Sequence, residues 1–291
     1  MQEINGLTKT CGLIGNPVEH TLSPVIHNTL ARMFNHNLVY VPFLVEKGRV
    51  EDAVKGAFAL NIHGLNVTVP YKSEVIASLC DVDELAGHIG AVNTLVRQEN
   101  GYKGYNTDVT GLFRAMESEN IVIEGEEIMI LGAGGAARAV AYLCASRGAR
   151  QIYLLNRTKQ KSMDVANEIN NTFHKDIIIP MELSGYKSLP AKKYLAIQAT
   201  TVGLYPNVED AIITEPGFYN RIHTGFDLIY SPLNTEFMQH VKEHGGKAYH
   251  GLKMLLYQGV NAYELWNNVS VSKAQAMEIY GLMKKAMGIH E

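Results

Sequence analysis

The sequence predicts an α/β protein built from two domains. Its 291 residues exceed the common size of one domain. Strand-like and helix-like stretches alternate along most of the chain, the pattern of parallel sheets covered by helices. An apolar strand at 128–131 runs into a glycine-rich turn, and 131 residues precede Gly132. That leading stretch is long enough to be a fold of its own.

The elements follow in order. Residues 10–14 form a short strand. Ser23-Pro24 opens a helix running to about residue 34, with serine at the N-cap and proline at the first helical position. Residues 38–44 are strand-like, 50–60 helical, and 65–69 a strand stopped by Pro70. A short helix covers 74–79. Strands at 92–97 and 102–105 make a hairpin around Asn100-Gly101. A helix spans 109–117, with Asp108 just before it. Beyond the central glycine turn come a helix over 136–147, ended by Gly148, and strands at 193–199 and 224–229. A helix over 235–244, a small strand over 247–249 and helices over 252–265 and 272–287 complete the chain.

Composition narrows the functional classes. Hydrophobic residues make up 46% and charged residues 19%, an ordinary globular balance with ample core. The net charge of −3 gives no electrostatic reason to expect nucleic acid or an anionic membrane. Cys11, Cys80 and Cys144 are widely spaced and read as small buried apolar residues in a reducing cytoplasm. Residues 1–10 lack the features of a signal peptide, and no apolar run reaches membrane-spanning length. A cytoplasmic protein with no membrane partner is expected.

The glycine turn has a specific reading. Gly132 permits the tight turn, Gly134 lets backbone approach a pyrophosphate, and Ala137 supplies the small residue needed for close helix–strand packing. The helix from about Ala136 then points its N–H groups at the phosphates. This is a Rossmann-type dinucleotide-binding unit. The second strand ends 156 − 132 = 24 residues on, at Asn156-Arg157-Thr158, with no acid to hold a ribose 2′-hydroxyl. Arg157 suits a 2′-phosphate, and Lys159 and Lys161 add positive charge. NADP is favoured over NAD.

Three further groups could carry chemistry. Thr21 and Ser23 place hydroxyls at a helix start, where a carboxylate or phosphate would be welcome; Ser23 also reads simply as a cap. Asn66 and Thr68 share one face of a strand, and Lys72 emerges just past Pro70, either as an acid–base group or as a solvated lysine. Asp108 ends a strand and begins a helix, as a functional carboxylate or as a cap. His240 and His244 have metal-ligand spacing but no third ligand nearby, so no metal is expected.

These segments, taken together, resemble the shikimate dehydrogenase family over essentially the whole length. The matching stretches are 15–28 (GNPVEHTLSPVIHN), 66–72 (NVTVPYK), 90–95 (GAVNTL), 104–108 (GYNTD), 131–139 (LGAGGAARA), 156–158 (NRT), 226–232 (FDLIYSP) and 251–258 (GLKMLLYQ). The resemblance implies reversible, NADP-dependent reduction of 3-dehydroshikimate to shikimate, a step toward chorismate and the aromatic amino acids. It implies Lys72 and Asp108 as the catalytic pair. Thr21, Ser23 and Tyr230 would hold the substrate carboxylate, and Thr68, Lys72, Asn93, Asp108 and Gln258 its ring hydroxyls. NADP contacts would fall on Gly132, Gly134, Gly135, Ala136, Asn156, Arg157, Thr158, Lys161, Thr200 and Gly251, with 199–203 along the nicotinamide half.

The implied architecture is two α/β domains around a cleft. A substrate-binding domain over 1–108 is completed by the C-terminal helices over 251–291, and the dinucleotide domain spans 109–250. A small-molecule substrate is expected, in a monomer or homodimer. The chain departs from the family pattern at Thr21 and Thr201, and at Val109, Lys161 and Gln198. None of these departures touches the catalytic pair. A quinate/shikimate dehydrogenase using NAD as well, and a non-catalytic NADP-binding regulator, are the alternative readings.

Overall fold

The computed structural model describes residues 4–289. Residues up to Arg114 and from Leu255 onward form one unit, and Ala115–Met254 forms the other. The breaks lie six and four residues beyond the expected 108 and 250. Both fall inside helices, because the sequence marks where a helix starts rather than where packing changes hands.

The first unit is built on a six-stranded sheet. Its strands are β1 (Lys9–Gly15), β2 (Leu38–Leu44), β3 (Gly64–Val67), β4 (Asp81–Val82), β5 (Thr94–Gln98) and β6 (Gly101–Tyr105), in the order β2-β1-β3-β5-β6-β4. The sheet is mixed, not purely parallel. β1 pairs in parallel with β2 and β3, whereas β5 runs antiparallel to β3 and β6. The cause is local: Gln98 pairs with Gly101, and a two-residue connection joins only antiparallel strands. The turn is therefore Glu99-Asn100, one residue earlier than expected.

Helices α1 (Ser23–Met33), α2 (Val50–Ala59), α3 (Glu84–Ile89) and α4 (Thr107–Ser118) follow between and after these strands, with a 3₁₀ turn at Glu74–Ser78. The chain returns to this unit along α9 and α10, below. Leu65, Val75, Leu95 and Tyr102 are fully buried in its core. Cys11 is buried here, but Cys80 is exposed, contrary to the expectation of three buried thiols. It precedes the two-residue strand β4 at the edge of the sheet.

The second unit holds β7 (Glu127–Leu131), β8 (Gln151–Asn156), β9 (Ile178–Glu182), β10 (Tyr194–Gln198), β11 (Ile222–Asp227) and β12 (Lys247–Tyr249). All pairs are parallel, in the order β12-β11-β10-β7-β8-β9. This is the doubly wound dinucleotide-binding order, and it reverses between β7 and β10. Ile128, Ile130 and Leu131 are fully buried, each contributing about 1.5–3 kcal/mol. Continuous apolar strands of this kind need cover on both faces.

That cover comes from α5 (Gly135–Ser146), α6 (Lys159–Phe173), α7 (Pro216–Tyr219) and α8 (Glu236–Glu243). β4, α3, α6, β9 and α7 are additions to the elements read from sequence. The buried stripe of α6 is only Ser162, Val165, Ala166 and Ile169. The period is helical, but so narrow a stripe amid polar residues signals weakly. α9 (Leu252–Asn267) and α10 (Lys273–Ala286) end the described chain, and Ser272 with Gln275 forms a capping box at the start of α10.

Candidate active site

In the first unit, one ion pair organises the expected residues. Lys72 Nζ donates to Asp108 Oδ2 at 2.8 Å, with the side chains 33% and 21% exposed. Lys72 lies in the turn after β3, and its carbonyl accepts from Val92 N–H at 2.7 Å. Asp108 is not the cap of its helix. α4 begins at Thr107, and Asn106 Oδ1 accepts from Val109 N–H at 3.2 Å. With Asn106 serving the helix start, the Asp108 carboxylate is left to Lys72.

Asn93 supports the same corner. Its Oδ1 accepts from Thr107 N–H at 2.7 Å and from the Thr107 hydroxyl at 3.1 Å, which leaves its Nδ2 for a ligand. Asn66 is an internal brace. Tyr40 donates to its Oδ1 at 2.8 Å, and its Nδ2 reaches the Asn93 carbonyl and the Thr94 hydroxyl. Its carboxamide is thereby taken up inside the fold. Sequence reading placed Asn66 beside Thr68 but gave no sign of this tie.

Ser23 is also not a helix cap. Leu22 occupies that position without a side-chain bond, and Ser23 is the first residue of α1. The Thr21 hydroxyl donates to Ser23 Oγ at 3.1 Å and accepts from Ser23 N–H at 3.2 Å. The two hydroxyls thus sit together at the start of α1. β1 and β3 are neighbours, and a Cβ at Gly15 would strike the Thr68 methyl. The turns that follow these two strands therefore lie side by side.

Gln258 is positioned by a close helix contact. A Cβ on Gly111 of α4 would lie 2.5 Å from Gln258 N and 2.8 Å from its Cα. Arg114, one turn further along α4, binds Asn261 at 3.1 Å, Glu264 at 3.0 Å and the Val271 carbonyl at 2.9 Å. α4 and α9 are thereby locked, carrying Asp108 and Gln258 on adjacent rods. Sequence reading missed Gly111 and Arg114, because the contact joins positions 147 residues apart.

In the second unit, a cavity of about 710 Å³ opens beside β7 and β10. Such a volume is typical of a ligand site. It lies at the switch point of the sheet, where α/β folds bind ligands. Nine of the ten residues expected to contact the cofactor line it: Gly132, Gly134, Gly135, Ala136, Asn156, Arg157, Thr158, Lys161 and Thr200. The tenth, Gly251, does not. Its Cβ would strike the Leu228 carbonyl, so close backbone packing accounts for the glycine there.

The local chemistry fits a dinucleotide phosphate. Gly132 has φ +114°, and a Cβ there would be 2.8 Å from the Thr200 methyl. At Gly134 and Gly135 an added Cβ would meet only open space, the room a pyrophosphate needs. α5 starts at Gly135 with no side-chain cap and no acid in its first turn, so its N–H groups and positive dipole end are free for an anion. Asn156 closes the β8 turn by donating to the Thr158 carbonyl at 2.8 Å, and Arg157 and Lys161 bring positive charge.

Tyr230, expected at the substrate carboxylate, also lines this cavity, and burial pushes its phenol above the usual tyrosine value. His240 faces Glu236 and Glu243, while His244 Nδ1 lies 2.7 Å from the His240 carbonyl. Among the described residues, no three His, Cys, Asp or Glu side chains are grouped to hold a metal, and no helix is long and apolar enough to cross a membrane.

Family profiles match both units. One described as "Shikimate dehydrogenase substrate binding domain" matches residues 13–95, and one described as "Shikimate / quinate 5-dehydrogenase" matches 114–199. A shikimate dehydrogenase (NADP(+)) from Desulforamulus reducens is 41% identical over 90% of this chain and 91% of its own.

The chain belongs to the shikimate dehydrogenase family. Its members are NADP-dependent oxidoreductases that act on a CH–OH group. A crystal structure of a shikimate dehydrogenase in complex with NADP+ superposes with a TM-score of 0.87 at 35% identity, covering 100% of this chain and 99% of that one. The shikimate dehydrogenase of Listeria monocytogenes, solved with shikimate and NAD, gives 0.87 at 28% identity, covering 99% of each chain. The doubly wound sheet and the mixed sheet belong to the family fold.

Proposed function

We propose that this chain interconverts 3-dehydroshikimate and shikimate with NADP, and that Lys72 and Asp108 are its acid–base pair. The first unit binds the substrate and the second the dinucleotide. The observation that carries the assignment is the 2.8 Å Lys72–Asp108 pair, because Asn106 takes over the capping duty that would otherwise occupy the carboxylate.

Bound NADPH supplies the hydride to the ketone carbon. Negative charge then develops on the carbonyl oxygen, and the Lys72 ammonium hydrogen-bonds that oxygen and gives it a proton. Asp108 holds Nζ in position and accepts from a ring hydroxyl. In the reverse direction the neutral Lys72 amine takes the proton back. Thr21 and Ser23 donate to the substrate carboxylate, and Tyr230, in the second unit, is a neutral hydroxyl at the dinucleotide cavity, its titration raised by burial. Thr68, the Asn93 amide and Gln258 fix the ring hydroxyls.

At the cofactor end, the α5 N-terminus and the glycine turn hold the pyrophosphate. Arg157 grips the 2′-phosphate as a fork and Lys161 as a point charge. Initial rates with shikimate and quinate, each with NADP+ and NAD+, test the assignment. Shikimate with NADP+ should turn over fastest. Absence of NADPH formation from shikimate would overturn it.

A further inference from the structure

Asp227 is a fully buried carboxylate that the proposed chemistry does not use. It ends β11. Its Oδ2 accepts from the Thr235 hydroxyl at 2.6 Å, and its Oδ1 from Ile229 N–H at 2.9 Å and the Gln198 amide at 3.4 Å. Gln198 ends the neighbouring strand β10 and is equally buried. Its Oε1 accepts from Thr200 N–H at 2.6 Å, and its Nε2 also reaches the Val202 carbonyl at 3.1 Å. The Thr235 hydroxyl in turn accepts from Met238 N–H, capping α8. Every polar atom of this three-residue cluster has a partner.

The cluster fastens two backbone segments. Thr200 and Val202 belong to the segment after β10, and Ile229 to the segment after β11. Both segments line the dinucleotide cavity, through Thr200, Leu204, Ile229 and Tyr230 among others. A carboxylate without exposure persists only where donors compensate for lost water, and here three converge on it. Burial still pushes Asp227 up to about 6. At neutral pH it is an anion that accepts all three bonds.

We propose that Asp227 is a positioning residue for the nicotinamide half of the dinucleotide, acting through Gln198 and the Ile229 N–H to fix the cavity wall after β10 and β11. The proposal rests on reading this cavity as the NADP site. In a doubly wound sheet the two halves of the ligand fall on opposite sides of the switch point. The 2′-phosphate cations come from the β8 side, which the cluster does not touch.

The test is the affinity of the intact protein for NADP+ and for 2′,5′-ADP, which lacks the nicotinamide half, measured by calorimetry. In Asp227→Asn the amide cannot accept from all three donors. Its NADP+ Kd should rise roughly tenfold, the effect of one lost charge-assisted hydrogen bond, with 2′,5′-ADP changed by less than about twofold. Thr235→Val should shift the same way and Thr235→Ser should not, which keeps the test available should Asp227→Asn fail to fold. Equal weakening of both ligands would make the cluster a general structural element, and no change in either would make it irrelevant to binding; both overturn the proposal. Arg157→Ala, in the same assay, should weaken both ligands. If it weakens neither, the cavity reading itself fails, whatever Asp227 does.

Discussion

Replacing Gly111 by alanine places a methyl where α4 and α9 come closest. The new Cβ would lie 2.5 Å from Gln258 N, 2.8 Å from its Cα and 2.9 Å from its Cβ. Ordinary contact begins near 3.4 Å, so α9 must retreat by 3.4 − 2.5 = 0.9 Å at this point. Backbone cannot swing aside as a side chain does, and Arg114 pins α9 one turn further on. Overpacking costs about 1–3 kcal/mol, while alanine in place of a helical glycine returns roughly 1 kcal/mol. The net loss is about 0–2 kcal/mol, and at about 2–4 °C per kcal/mol the melting temperature falls by less than about 8 °C.

Catalysis should suffer more than stability. Asp108 stands one turn before Gly111, and Gln258 moves with α9, so one member of the proposed acid–base pair and a proposed substrate contact are pushed apart. A misplacement of about 1 Å costs on the order of 10²-fold in rate. The expected result is a kcat/KM for shikimate lowered about 10²-fold, with KM for NADP+ nearly unchanged, because the cavity lies in the other unit. Initial rates at saturating NADP+, beside a thermal melt, measure both. Wild-type kcat/KM for shikimate would refute the claim that Gly111 sets the spacing of these helices.

Other expectations follow from single residues. Lys72→Ala should lower kcat by roughly 10²–10⁴ with little change in KM, and near-normal turnover would remove Lys72 from the mechanism. Loss of the half-exposed Lys72–Asp108 pair should cost no more than about 1 kcal/mol of stability by urea unfolding, so a larger loss would mark the lysine as structural. Arg157→Ala should raise KM for NADP+ far more than for NAD+, and equal effects would sink the 2′-phosphate assignment. His27 is buried against Tyr40, with neither ring nitrogen hydrogen-bonded, and burial pushes it from 6.5 down to about 3. The unfolded chain therefore binds a proton near pH 6.5 that the folded chain refuses. Stability is complete above that pH and falls as pH drops toward 3, by about 2 kcal/mol at pH 5. Urea unfolding of wild type and His27→Phe at pH 7 and pH 5 should show that extra loss only in the wild type; parallel losses would count against His27.

Much of the fold and site was legible because the signals are local. Gly132 needs φ +114° and sits against Thr200, so the residue itself announces the turn. The uncapped start of α5 and the absence of an acid at Asn156-Arg157-Thr158 are likewise written in consecutive residues. The alternation of strands and helices gave both sheets, although the hairpin made one of them mixed. Capping was harder. Ser23 and Asp108 are both good cap residues, and sequence could not show that Leu22 and Asn106 hold those positions instead. Gly251 stands in a recognisable segment, but sequence gave no sign that backbone passes close to Leu228 there. Cys80 looked buried because cysteine usually is.

What the sequence alone determined is the class of chemistry: a dinucleotide cradle, a cation for a 2′-phosphate, and a lysine and an aspartate in separate motifs. Each depends on the backbone and charge of a few adjacent residues. Tertiary structure decided which of those residues meet. Lys72 and Asp108 are 36 residues apart, Gly111 and Gln258 are 147, and Gln198, Asp227 and Thr235 converge from three elements. Such contacts depend on strand order and helix spacing, which packing sets across the whole unit and no short stretch of chain encodes.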